Sequence, residues 1–166
     1  MSRVSTLGTL LLAGWLGASA LFMGSVAPAA FAVLPARAMA GALVGRILPV
    51  IFIAGITVAA LSFLLDQPYT RTTLARVRAG ALIVLAIACG VAQFVLAPRI
   101  AALRAEMGPV IEALAIDDPR RHAFGLLHAT SVGWLGLGML AAVVAIAVAV
   151  RAATLAQRAA GAPSAP

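Results

Sequence analysis

Few side chains in this sequence could do chemistry: two histidines, one cysteine, five carboxylates and twelve basic residues, all arginine. His128 lies in an uncharged run, and helical spacing places it on one face with Arg121, Phe124 and Ser131. His122 sits about 120° away at 100° per residue, so the pair cannot hold one metal from a single helix. That removes the simplest zinc site, and no metal site is assigned. Three roles stay open for His128. It could bond a neighbouring helix carbonyl, ligate haem or copper with Met23 or Met39, or bind an anionic or polar small molecule beside Arg46 or Arg99. Gln93 reads as a bond between helices. Cys89 lies in an apolar run, where a thiol acts as a small hydrophobe. No carboxylate lies inside an apolar run, and neither a nucleophile–base pair nor a phosphate-binding glycine loop is present, so no catalytic residue is assigned.

The elements that must position these groups follow from composition. Apolar residues make up 63% of the 166 residues and charged residues 10%, with a mean hydropathy of +1.09. A water-soluble domain is roughly half apolar and about a quarter charged. Its surface could not be wetted at this composition, so lipid is the solvent. Four uncharged runs suffice to cross a hydrocarbon core, which needs about 20 apolar residues each. Lipid offers backbone groups no water, so each run is expected to be helical. The fold class is therefore an all-α integral membrane four-helix bundle, with spans near 6–27, 43–65, 77–98 and 124–150. One domain covers 1–150, and the alanine-rich segment 151–166 reads as a disordered tail. The net charge of +7 comes from arginines set singly between apolar runs. That spacing suits anchoring at headgroups of a lipid bilayer and not nucleic-acid binding.

Met1-Ser2-Arg3, an apolar stretch and Ala30-Phe31-Ala32 resemble a secretory signal with its cleavage site. The stretch exceeds a normal signal core, so a retained first span is expected. Within it, Ala13, Gly17, Ala20, Gly24 and Ala27 form a smooth stripe, as do Gly125, Ala129, Gly133 and Gly136 in the fourth span. Small residues let helices approach closely, so Gly17, Gly24, Gly125 and Gly133 are expected in the bundle interior. Ala27-Pro28 and Ala97-Pro98 are expected to close the first and third spans. This echo suggests two helix pairs related by an axis along the membrane normal. Asp66-Gln67-Pro68-Tyr69 signals a turn, a further turn is expected within Val110–Ala115, and Asp117-Asp118-Pro119 caps the fourth helix.

With four spans, both termini share a side. Arginines divide six and six between the two sides, while Glu106, Glu112, Asp117 and Asp118 oppose Asp66 alone. On that asymmetry the expected location is a cell inner membrane, with both termini cytoplasmic. The opposite side collects the unusual residues. Proline near a helix end frees carbonyls, and irregular backbone at membrane depth needs a protein or water-filled cover. Pro28, Arg46, Pro98, Arg99, His128 and Ser131 are therefore expected to converge there on a polar pocket, the alternative for Arg46 and Arg99, which the bland account favours, being to snorkel to headgroups.

The first two spans, through Trp15-Leu16-Gly17, Val26-Ala27-Pro28-Ala29-Ala30-Phe31, Leu34-Pro35 and Gly41 to Pro49, resemble a bacterial membrane family of unknown function related to eukaryotic transmembrane protein 205. Leu96 to Ile100 and the Arg121–His128 segment fit the same pattern. The resemblance implies a four-helix integral membrane protein, its eukaryotic relative being associated with platinum-drug resistance and vesicle traffic. The reading favoured by the residues is non-enzymatic handling, by binding or transport, of a polar small molecule or ion. The alternatives are an accessory subunit packing on a second copy or a membrane partner, and a redox unit carrying haem or copper.

Overall fold

The computed structural model describes residues 6–66, 72–108, 115 and 117–161. The described residues form four helices long and apolar enough to cross a membrane: α1 (Thr6–Val33), α2 (Arg37–Asp66), α3 (Thr73–Met107) and α4 (Pro119–Ala160). Successive helices run antiparallel. Gly8 meets Ser62 and Trp15 meets Ile51 across α1 and α2, and Arg78 meets Ala145 across α3 and α4. α1 packs against α2 and α4, and α3 packs against the same two. The result is a four-membered ring with Thr6 of α1 and Ala160 of α4 towards the same end of the bundle.

The helices outrun the expected spans. Asp118 caps α4 as its sequence suggests: its Oδ1 accepts from the Arg120 backbone N–H at 2.8 Å, and Pro119 opens the helix. The helix then continues to Ala160, so 151–160 is not a disordered tail. Arg151-Ala152-Ala153-Thr154-Leu155-Ala156-Gln157 is rich in strong helix formers and contains no breaker before Gly161. Residues 162–166, and the turn positions 67–70 and 110–114, lie outside the described residues.

The two Ala-Pro dipeptides do not close helices either. Each follows a five-residue π-turn, Phe22–Val26 in α1 and Ala92–Leu96 in α3, and the helix resumes beyond it. Proline offers no N–H and crowds the preceding turn. Widening that turn relieves the crowding, and Ala27 and Ala97 donate back to the Phe22 and Ala92 carbonyls. These turns are 70 residues apart, and so are the buried positions: Gly8, Leu12, Trp15, Ser19 and Phe22 match Arg78, Leu82, Leu85, Cys89 and Ala92. Between α2 and α4 the offset is 83, pairing Phe52, Gly55, Ala59 and Ser62 with Leu135, Gly138, Ala142 and Ala145. The two helix pairs thus repeat one register of buried positions, as the Ala-Pro echo suggests.

Lipid is as apolar as leucine, so contacts rather than water exclusion must hold these helices. Trp15 supplies one contact, donating from Nε1 to the Ile51 carbonyl at 2.9 Å. Ser62 Oγ donates to the Gly8 carbonyl at 3.1 Å. The glycines that permit close approach are Gly8, Gly55 and Gly138. A Cβ on Gly55 would lie 2.6 Å from Cys89 Sγ and 3.0 Å from the Trp15 ring. The expected stripes are a correction: Gly17, Gly24, Gly125 and Gly133 are all exposed, with nothing within 4 Å of a built Cβ. The bulky residues Leu12, Trp15 and Phe22 take the interior face of α1 instead. The smooth face is left among outward leucines such as Leu10 and Leu21. The interior pairs its large side chains with other small residues, among them Gly55, Ala59, Ala88, Gly138, Ala142 and Ala145, and not with the two predicted stripes.

Candidate functional site

At the end of the bundle away from Thr6 and Ala160, residues of all four helices line a cavity of about 330 Å³. Its walls combine apolar side chains, among them Phe31, Val44 and Leu48, with Arg37, Arg104, Arg121 and His128. No acidic side chain is among the described lining residues. Helix geometry explains who points inward. Gly41, Val44, Gly45 and Leu48 recur at three- and four-residue intervals on α2, and Ile100 and Arg104 do so on α3. Arg121, Phe124, His128 and Ser131 share the wall from α4, the alignment their spacing suggests.

Arg104 is the central group. Its Nη1 donates to the Gly41 carbonyl at 3.1 Å, and its guanidinium lies 5.4 Å from the Phe124 ring centroid. The Phe124 ring in turn stacks on His128, with centroids 6.3 Å apart and 6° between planes. A Cβ at Gly41 would stand 2.7 Å from Arg104 Nη2, so glycine is what lets the guanidinium reach this backbone. Arg104 Nε is buried without a hydrogen-bond partner among the described residues. An unmet buried donor on a cation is costly, and an anion would satisfy it.

A second chamber of about 290 Å³ adjoins the first, sharing Phe31, Val44, Leu48, His128 and Ser131. Its remaining walls are Phe22, Met23, Ala27, Pro28, Val132 and Leu135, so the π-turn of α1 forms one side. Met39 is exposed on α2, away from His128.

Of the residues expected to converge, Pro28, His128 and Ser131 line these chambers, and Arg46, Pro98 and Arg99 do not. The latter three are exposed. Arg46 falls one residue past Gly45, a turn of 100° off the inward face, and Arg99 falls one residue before Ile100. Arginines spaced in register with Gly41–Gly45 and Ile100 take their place. That register, more than proximity to a proline, was the signal in the sequence. Among the described residues, no three His, Cys, Asp or Glu side chains group closely enough to hold a metal ion.

A second polar cluster lies at the terminal end. Arg78, only 2% exposed, pairs through Nε with Asp66 and donates from Nη1 to the Ala145 carbonyl at 2.8 Å. It ties α3 to the end of α2 and to the middle of α4.

Four membrane-crossing helices in one ring, with a cationic cavity at one end, make this a multi-pass integral membrane protein. The chain belongs to the family described as Domain of unknown function (DUF4149), whose pattern matches residues 10–109. That match covers most of α1, all of α2 and α3, and none of the α4 wall. No curated protein and no solved structure matches the chain.

Proposed function

We propose that this protein binds an anionic small molecule at the non-terminal end of the bundle, without carrying out a covalent reaction on it. The observation that supports this reading is the gathering of Arg37, Arg104, Arg121 and His128 on one cavity, without an acidic side chain among its described lining residues. Arg104, half-buried with its Nε donor unmet among the described residues, is the group such an anion would satisfy. A hydrogen bond to a charged group contributes about 1.5–3 kcal/mol, and arginine presents several such donors in a fixed fork. The resemblance to the family of transmembrane protein 205, whose eukaryotic member is associated with drug resistance, fits a solute-handling role. Inorganic phosphate or sulfate, titrated into protein in neutral-lipid nanodiscs, should raise the unfolding temperature. Arg104→Gln and Arg121→Gln should abolish that rise, whereas Arg46→Gln and Arg99→Gln on the outer faces should preserve it. An equal rise in all four variants would sink the reading.

We also place both termini in the cytoplasm of a bacterial inner membrane, which puts the cavity at the periplasmic side. Support comes from the acidic residues: Glu106, Glu112, Asp117 and Asp118 belong to one end and Asp66 to the other. A topology reporter fused at Pro166 that scores periplasmic would reverse this orientation.

A further inference from the structure

The two adjoining chambers differ in chemistry, and the difference carries information about the ligand. The first holds three arginines, while the second holds none and is walled by Phe22, Met23, Ala27, Pro28, Val132 and Leu135. A bare inorganic anion would occupy the first and leave the second without a function. Apolar cavities stay dry, and an unfilled one forfeits the contacts its walls could make. The second chamber is lined from α1, α2 and α4, and its residues Phe31 and Val132 are 47% and 40% exposed. A hydrocarbon chain seated there would end at His128 and Ser131, which the two chambers share, beside the arginines.

We infer that the ligand is a single-chain amphiphilic anion, with its charged head against Arg104 and Arg121 and its chain along the π-turn of α1. This rests on the anion reading above and adds the class of molecule. It also gives the π-turn a role: its residues Phe22 and Met23 flank the chain. At about 30 Å³ per water-sized group, the 290 Å³ chamber takes on the order of ten methylenes.

The test holds the head constant and varies the tail. Inorganic, butyl and octyl phosphate are titrated into the full chain in nanodiscs of neutral lipid. Each buried methylene should tighten binding about fourfold, so octyl phosphate should bind far more tightly than inorganic phosphate. Ala27→Phe and Val132→Phe fill the second chamber and touch no arginine. Either should erase the gain with chain length and leave inorganic phosphate binding within about twofold of wild type. Val132 is half exposed, so its variant has room to fold if the Ala27 variant does not. If octyl phosphate binds no better than inorganic phosphate, or if both filled variants keep the gain through bilayer partitioning alone, the amphiphile inference fails and the anion reading survives. If neither phosphate binds, or Arg104→Gln binds both normally, the two fall together. Native mass spectrometry of protein purified without added ligand separates the sources. A retained anionic lipid supports a bilayer origin, and an empty protein that accepts octyl phosphate supports a free amphiphile.

Discussion

Glycine-to-alanine substitutions across the bundle should produce a steep and specific ranking. At Gly55 the new methyl would stand 2.6 Å from Cys89 Sγ and 3.0 Å from Trp15 Cε2 and Cζ2. Neither neighbour yields easily. Cys89 is fully buried, and Trp15 is held by its bond to the Ile51 carbonyl. Overpacking of this kind costs about 1–3 kcal/mol. Better helix propensity returns up to about 1 kcal/mol, and less where the unfolded chain stays helical in the membrane. Gly55→Ala should therefore lose about 1–2 kcal/mol. At Gly138, the equivalent position in the second helix pair, the nearest atom is Leu85 Cδ1 at 3.3 Å, the end of a flexible side chain. A loss within about 0.5 kcal/mol is expected there, because a small shift is cheap. Gly17, Gly24, Gly125 and Gly133 meet nothing within 4 Å and should be neutral or slightly stabilised. Reversible unfolding in mixed micelles, followed by tryptophan fluorescence, measures each value. Adding Cys89→Ala to Gly55→Ala should recover about 1 kcal/mol of coupling, because the sulfur is the nearest clash. If Gly17→Ala or Gly24→Ala costs as much as Gly55→Ala, or if removing the sulfur brings no relief, the packing argument is wrong.

Asp66→Asn should be among the most damaging single changes at the terminal end. It leaves the Arg78 guanidinium buried without its carboxylate, a loss of about 3–5 kcal/mol for a fully buried pair. Asp66 keeps 16% side-chain exposure, so the lower end, about 3 kcal/mol, is expected. Adding Arg78→Met should recover part of that loss in the same unfolding assay, and a double variant worse than the sum of both would contradict the pairing. At the start of α4, the Arg120 side chain bonded to Asp118 holds this carboxyl below the usual carboxylate range. A depressed folded pKa adds stability above the ordinary aspartate value near 4, and the gain disappears as pH falls through the lower folded value. Asp118→Ala should therefore lower the melting temperature at pH 7, with the gap from wild type closing in acid. A gap that stays constant down to pH 2 would rule out the charged cap.

The spans were legible because hydropathy and length decide whether a segment can cross a bilayer, and no tertiary contact is needed to read them. The cap at Asp118-Pro119 was legible for a similar reason: the side chain satisfies backbone donors only two residues away. The face shared by Arg121, Phe124, His128 and Ser131 followed from the helical repeat alone. Which faces meet was a different matter. Small residues at helical spacing suit a helix contact and a lipid-facing surface equally well. Only the assembled ring shows that Leu12, Trp15 and Phe22 face inward and Gly17 and Gly24 outward. The prolines were visible, but local sequence does not say whether a turn widens around proline or stops there. Continued packing beyond Pro28 and Pro98 decides for widening. The choice of Arg104 over Arg99 and Arg46 was likewise tertiary. It depends on a bare glycine at position 41, on a helix more than sixty residues away in sequence, leaving its carbonyl open to a guanidinium.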